Sequence, residues 1–298
     1  MQIYPAPAQS LVDSMRAAAL ANPARTVAFQ GAPGAFSHQC VREARPDALP
    51  LPCYTFEDAM DAVSEGRAAM AAIPVENSLH GRVADVHFLL PESGLYIVGE
   101  HHVKVEHCLL GAPGATLAMV REAMSHPQAL GQCRKRLKVL GLKAIAHADT
   151  AAAAAQVRES GDPMVAAIAS RLAGELYGNV LLVDGLQDAD HNRTRFLFLS
   201  RTPLADVEGP AKTTLAFEVK NIPAALYKAL GGFATNGVNI TRLESHLRGG
   251  TFTAAEFLID IEGGPAGEHV GRALEELAFH SKWVRILGTY PREILTED

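Results

Sequence analysis

Four short segments concentrate the polar side chains that bind and polarise small anions. They are Gly31-Ala-Pro-Gly-Ala-Phe-Ser37, Ile73-Pro-Val-Glu-Asn-Ser-Leu-His-Gly81, Ser125-His-Pro-Gln-Ala-Leu-Gly-Gln-Cys133 and His191-Asn-Arg-Thr-Arg-Phe196. In open α/β sheets, ligands bind beyond the carboxyl ends of strands, where loops and helix N-termini meet. Each exposed helix N-terminus favours an anion by about 0.3–1 kcal/mol, so several converging on one cleft could hold a small dianion without a metal. Glu76, Asn77 and Ser78 directly follow an apolar run, a placement that serves a site, although Asn and Ser also make plain turns. Arg193 and Arg195 alternate with Asn192 and Thr194, so one pair could face a cleft while the other faces solvent. Ser125-His126-Pro127 also reads as an ordinary helix start, with Pro127 at the first position and Gln132 on the helix surface. Gly31-x-x-Gly34 lacks the spacing of a dinucleotide fingerprint, and no GK[ST] follows to make a P-loop. It equally suits a tight turn with Ser37 in the first turn of the next helix.

The elements that must position these residues alternate. An extended Pro/Ala segment and a short helix over 11–20 precede a first strand at 26–29. A glycine loop then leads into a helix from 36 onward. Helix 56–65 and the apolar run 69–75, patterned as a strand buried on both faces, come next. Further strands are expected at 95–98, 103–110, 164–168 and 194–200, and helices at 116–123, 127–140, 150–159 and 169–177. Such alternation argues for an α/β domain on largely parallel sheets. The stretch 201–210, with two prolines, a glycine and no helical period, reads as a domain boundary. Beyond it come strand 213–219, a helix capped by Asn221 with Pro223 just inside and running to 236, and strands 238–247 and 251–261. Arg248-Gly249-Gly250 joins those two strands as a hairpin. Helix 266–279 and strand 283–287 complete βαββαβ, the ferredoxin-like plan.

A length of 298 residues suits two domains of about 150 residues each. A net charge of −6 argues against a dedicated nucleic-acid binder. Cys40, Cys53, Cys108 and Cys133 are far apart with no CxxC pair, so reduced thiols are expected rather than a metal site or disulfide framework. No apolar stretch approaches the ~20 residues that span a bilayer. The N-terminus lacks a basic region ahead of an apolar one, which argues against a signal peptide and for a cytoplasmic protein.

Thr194-Arg195-Phe196, preceded by Tyr177-Gly-Asn-Val and Asp190, resembles the signature of prephenate dehydratases. Ile73-Pro-Val-Glu-Asn-Ser-x-x-Gly81 and Ser125-His-Pro-Gln with Gln132-Cys133 resemble two further segments of that family, in the same order. The last region resembles an ACT regulatory domain through Pro223-Ala-Ala-Leu-Tyr-Lys-Ala-Leu, Ile240-Thr-Arg-Leu-Glu-Ser and Leu287-Gly-Thr-Tyr-Pro291. The resemblance implies an N-terminal extension (1–24), a two-lobed catalytic domain like type 2 periplasmic binding proteins (25–204) and a ferredoxin-like ACT domain (212–298). It implies conversion of prephenate to phenylpyruvate, water and CO2 without a cofactor or metal, in phenylalanine biosynthesis. Thr194 would serve the departing hydroxyl as a hydrogen-bond donor or proton relay, with His191 and His38 as other proton sources. Arg195 would pair with a substrate carboxylate, and Ser37, Asn77, Ser78, Ser125, Gln132 and Phe196 would complete the substrate site. Glu76 is assigned there too, positioning Asn77 or the loop, because a carboxylate beside a dianion is unfavourable unless protonated or turned away.

The ACT resemblance implies feedback inhibition by L-phenylalanine in a homodimer or homotetramer. The effector would lie between Asn221, Ala224 and Leu226 of one subunit and Leu243, Glu244 and Ser245 of a neighbour. Ala224 stands where the family motif has glycine, and His246 and Leu247 where it has Arg-Pro, so regulation by phenylalanine is either kept, weakened or altered. The alternatives are an arogenate dehydratase of the same fold and a non-catalytic small-molecule sensor.

Overall fold

A computed structural model describes residues 4–247 and 255–295. In chain order the first elements are α1 (Ala6–Ala21), β1 (Thr26–Gln30), α2 (Phe36–Ala44), β2 (Leu49–Cys53), α3 (Phe56–Ser64), β3 (Met70–Asn77), β4 (Gly81–Arg82), α4 (Ala84–Glu92) and β5 (Tyr96–Lys104). They continue with β6 (Cys108–Gly111), β7 (Glu122–Ser125), α5 (Pro127–Gln132), α6 (Arg134–Leu140), β8 (Lys143–Ala146), α7 (Thr150–Ser160), β9 (Val165–Ala169), α8 (Arg171–Tyr177), β10 (Val180–Val183) and β11 (Arg193–Ser200). The last are β12 (Ala211–Val219), α9 (Ala225–Thr235), β13 (Ile240–Leu247), β14 (Ala255–Glu262), α10 (Glu268–His280) and β15 (Ser281–Pro291). Internal contacts divide the chain into two units: Met1–Val83 with His101–Phe196, and Ala84–Glu100 with Leu197–Asp298.

The first unit is built on two sheets. One has the order β2-β1-β3-β11-β5 with β4 on β3, and β5 and β11 each run on into the second unit. The other has the order β10-β6-β9-β7-β8. β1 lies parallel to β2 and β3, and β7 parallel to β8 and β9, but β6 is antiparallel to both β9 and β10. The second sheet is therefore mixed rather than largely parallel. β6 enters it straight from β5, without the crossover helix that would bring a strand in parallel.

Local chemistry explains where the elements depart from expectation. α1 starts at Ala6 rather than 11, because proline is tolerated in a first helical turn, whose N–H groups have no intrahelical partner. β2, Leu-Pro-Leu-Pro-Cys, is a strand beyond those expected; it lies at the sheet edge, where proline is allowed. The stretch 116–123 is turns leading into β7, not a helix, and the expected helix 127–140 breaks at Cys133 into α5 and α6. There the Asp188 carboxylate accepts from the N–H groups of Lys135 and Arg136 in the first turn of α6. Ala151 to Ala155 of α7 are all buried, packed with Ala8 of α1 and Cys108 and Ala169 of the sheet. The alanine run is thus close-packed core as well as a good helix former.

The second unit carries an antiparallel sheet of order β13-β14-β12-β15, in the chain order βαββαβ. Leu215, Phe217, Phe257 and Ile259 of the strands pack with Ala229 and Phe233 of α9 and Ala273 and Leu277 of α10, so both helices cover one face. The segment 84–100 meets other groups of this sheet. Lys212 Nζ lies 2.8 Å from both Glu100 carboxylate oxygens, Arg285 donates to Pro91 O, and His87 pairs with Glu244. A Cβ at Gly288 would stand 2.1 Å from Ile97 O, so only glycine allows that approach. Asn221 does not cap α9, which begins at Ala225 after Ala224 at φ 60°. The hairpin Arg248-Gly249-Gly250 and the start of strand 251–261 lie outside the described residues.

Candidate active site

β11 is the backbone of the site. Its pleat turns Thr194 and Phe196 to one side and Arg195 to the other. Thr194 and Phe196 line a cavity of about 370 Å³ together with Ser37, Asn77 and Gln132. The other lining residues include Gln30, Phe36, His107, His126, Asp149 and Thr150. The first sheet contributes Gln30, Asn77, Thr194 and Phe196, while α5 and the start of α7 contribute the opposite wall. A larger hollow of about 1000 Å³ under α1 shares Gln30, Ala148 and Asp149 with it, but none of the polar residues singled out from sequence.

Asn77 is the centre of the hydrogen bonding. Its Nδ2 donates toward Asn192 Oδ1 (2.8 Å), Thr194 Oγ1 (3.0 Å) and Arg193 O (3.3 Å). Its Oδ1 accepts from the backbone N–H groups of Leu79 and His80, both at 3.1 Å. The amide therefore has only one sensible orientation, and Thr194 Oγ1, already accepting from it, is left with a hydroxyl proton to donate. Four helices start at the cavity: α2 at Phe36 and Ser37, α3 at Phe56 (capped by Thr55), α5 at His126, and α7 at Asp149 and Thr150. The α7 terminus is capped by Asp149, whose carboxylate accepts from Ala152 N (2.7 Å) and Ala32 N (3.4 Å), and His126 Nδ1 caps α5. α2 has no side-chain cap, so its first N–H groups are the ones suited to a carboxylate.

The remaining residues singled out from sequence fall elsewhere. Ser125 is fully buried and its hydroxyl donates to Ile168 O at 2.6 Å, joining β7 to β9 instead of entering the cavity. Ser78 is exposed; its Oγ donates to His191 O and accepts from Arg193 N, tying the β3–β4 turn to β11. Arg195, 7% exposed, points away from Thr194 with its Nη1 3.9 Å from Glu76 Oε2. Neither of that pair lines the cavity. His38 is buried against Phe29 and accepts from Gly34 N through Nδ1, and burial followed by the Arg42 charge lowers its pKa to about 4. It is a neutral core histidine, outside the cavity lining.

Sequence reasoning passed over Asp149 and His107 as site residues. Asp149-Thr150 ahead of the alanine run is a readable helix-cap signal, whereas His107, at a strand end, carries no local mark. Asn192 was read only as one half of an alternation. Among the described residues no group of three or more His, Cys, Asp or Glu side chains is arranged to hold a metal ion. None of their helices is long and apolar enough to cross a membrane.

In the second unit, Asn221, Ala224 and Leu226 line a hollow of about 320 Å³ with Val219, Lys220, Ile222, Ala225 and Tyr227. Leu243, Glu244 and Ser245 lie on β13 and do not line it. Leu243 is exposed, while Glu244 is engaged by Arg242 Nε at 2.9 Å and by His87.

The family model described as prephenate dehydratase matches residues 27–204. A protein of Komagataeibacter europaeus, named bifunctional N-acyl-homoserine lactone acylase/prephenate dehydratase, is 52% identical over 272 residues, 91% of this chain and 97% of its own. The chloroplastic arogenate dehydratase/prephenate dehydratase 1 of Arabidopsis thaliana is 37% identical over 284 residues, covering 90% of this chain and 72% of its own. Among solved structures, prephenate dehydratase from Arthrobacter aurescens in complex with L-Phe superposes with a TM-score of 0.82 at 31% identity, over 90% of each chain. The cavity built around Thr194 lies within the matched residues, and the chain belongs to the prephenate dehydratase family, lyases that dehydrate and decarboxylate prephenate.

Proposed function

We propose that the cavity around Thr194 binds prephenate and releases phenylpyruvate, water and CO2 in the branch of aromatic biosynthesis leading to phenylalanine. Loss of CO2 leaves the C–C bonding pair with the ring, the pair completes the aromatic system, and the hydroxyl on the opposite carbon departs. One proton is consumed, turning that hydroxyl into water. Thr194 Oγ1 donates to it, and because threonine is a weak acid the hydroxyl acts as donor or relay rather than as a strong acid. The observation that carries this reading is the 3.0 Å bond from Asn77 Nδ2 to Thr194 Oγ1, which orients the threonine proton away from Asn77. Ser37 and the uncapped start of α2 are suited to one carboxylate, and Gln132 supplies a neutral donor. Arg195 and Glu76 act as a pair behind β11, steadying the strand that bears Thr194.

On this reading residues 25–204 are the catalytic domain, 1–24 an extension, and 212–298 an ACT domain through which L-phenylalanine inhibits a cytoplasmic homodimer or homotetramer. The βαββαβ order of the second unit and the L-Phe complex of the Arthrobacter aurescens relative support this part. Two other substrates have specific support. L-arogenate is favoured by the name of the plant relative, and N-acyl-homoserine lactone, hydrolysed at its amide, by 52% identity to the bifunctional relative. The test is one set of assays: phenylpyruvate formation from prephenate, with L-arogenate and an N-acyl-homoserine lactone alongside and L-phenylalanine titrated into each. Prephenate turnover that falls with phenylalanine is expected. Turnover of arogenate or the lactone alone would replace the substrate, and turnover insensitive to phenylalanine would remove the regulatory assignment.

A further inference from the structure

His107 lies in the short link between β5 and β6, is 2% exposed, and lines the same cavity as Thr194. Its backbone is held on both sides: His107 N donates to Gln187 Oε1 at 2.9 Å, and its carbonyl accepts from Leu186 N at 2.7 Å. Phe36 meets the ring edge-on at 5.4 Å. The ring has one side-chain hydrogen-bond partner, Gln132 Oε1, 2.6 Å from Nε2, while the buried Nδ1 has none among the described residues. An acceptor at Nε2 places the ring proton there. A second proton would have to sit on Nδ1, buried and unbonded, and burial accordingly lowers the pKa of His107 despite the bond it donates to Gln132.

A buried, neutral imidazole with a single bond fills space less favourably than a phenylalanine would, since the bare Nδ1 is desolvated for no return in stability. Its distinctive effect falls on Gln132. The two ends of an amide have nearly the same shape and opposite hydrogen-bonding character. With Oε1 held by His107, both Nε2 hydrogens are on the other side, where His80 Nδ1 lies 3.2 Å away, the same distance as from Asn77 Oδ1, and takes one of them when the His80 proton is on Nε2. The second is left for the cavity. Were the amide reversed, its oxygen would face the cavity and repel a carboxylate.

We propose that His107 is a positioning residue, which fixes Gln132 so that its N–H, and not its oxygen, is presented to an anionic substrate. The inference deepens the assignment of the cavity to prephenate and rests on it for the identity of the anion.

Two measurements test it. In protein labelled with 15N-histidine, the His107 ring is expected as the neutral Nε2–H tautomer at pH 7, with its Nε2 signal displaced by Gln132→Ala. An Nδ1–H tautomer or an imidazolium at pH 7 would overturn the proposal whatever the substrate is. In steady-state assays with prephenate, His107→Phe, which keeps a planar aromatic ring and removes the donor, should lower kcat/KM roughly 10- to 100-fold, as misplacement of a binding group does. Combined with Gln132→Ala, it should slow the enzyme no further than Gln132→Ala alone; fully additive losses would show that His107 acts independently and overturn the proposal. A wild-type protein with the expected tautomer and no prephenate turnover would sink the dehydratase reading and leave the orientation of Gln132 standing.

Discussion

Two contiguous motifs, one in each unit, are divided by the same geometry with different consequences. On β11, the pleat sends Thr194 into the cavity and Arg195 to the other side, against Glu76. On β13, Leu243 is paired with Ile259 of the apolar core strand, whereas Glu244 is turned to Arg242 and His87. In the first unit, β3, α2, α5 and α7 supply residues that β11 cannot. In the second, Asn221, Ala224 and Leu226 line a hollow that β13 does not reach. A strand contributes every other residue to a site, and the rest must come from elements packed across from it. An effector site that used both groups, as proposed, would have to draw them from two separate places.

The comparison breaks most readily at Thr194. Thr194→Ala should reduce prephenate turnover by at least ~100-fold, the scale of a lost proton-transfer group, with a smaller change in substrate affinity. Wild-type turnover by the folded variant would move the chemistry away from β11. Acid should weaken the first unit next, through His38. Its folded pKa of about 4 lies below the ordinary 6.5, so the unfolded chain takes up the proton first. Stability is then complete above pH 6.5 and lost as pH falls from there toward 4, by roughly 1 kcal/mol per pH unit. Denaturant midpoints measured between pH 7 and 5 should show this slope, and His38→Gln should flatten it. An unchanged slope in that variant would assign the acid sensitivity elsewhere.

Ser125→Ala separates scaffold from site. Removing its hydroxyl leaves Ile168 O without that donor and should cost about 1–3 kcal/mol of stability, while KM for prephenate stays near wild type. A large rise in KM with little loss of stability would return Ser125 to the substrate site. The smallest effect belongs to the second unit. Ala224 is the only non-glycine residue at positive φ among the described residues, so Ala224→Gly should raise stability by about 1 kcal/mol, readable as a small increase in Tm. It also tests whether a Cβ at this position weakens phenylalanine binding. A lower Tm would mean that the Ala224 side chain contributes packing that outweighs its backbone strain.

Much of this architecture follows from local sequence because local periodicity follows from covalent geometry. The helices at 56–65 and 150–159, the buried strand after Ala69 and the βαββαβ order were readable from apolar spacing, caps and turn residues, and their observed counterparts α3, α7 and β3 agree within a residue or two. The polar clusters at strand ends were also legible as a group. Their division was not, because which neighbour a side chain meets is decided by sheets that bring distant segments together. Asn77 reaches Asn192 and Thr194 across more than a hundred residues of chain. Ser125 and Gln132, seven positions apart, go to a core carbonyl and to the cavity respectively. Likewise, the two prolines of β2 are accommodated because the strand lies at the edge of its sheet, a placement that tertiary packing makes. The amino-acid sequence by itself determined the alternating elements, the reserve of anion-binding groups and the family signature. Only tertiary packing decided that Thr194, Asn77 and Gln132 share a cavity with His107, that Arg195 backs the strand, and that the segment 84–100 joins the second unit. Periodicity is a property of neighbouring residues, whereas a site is a property of whichever surfaces the core brings together.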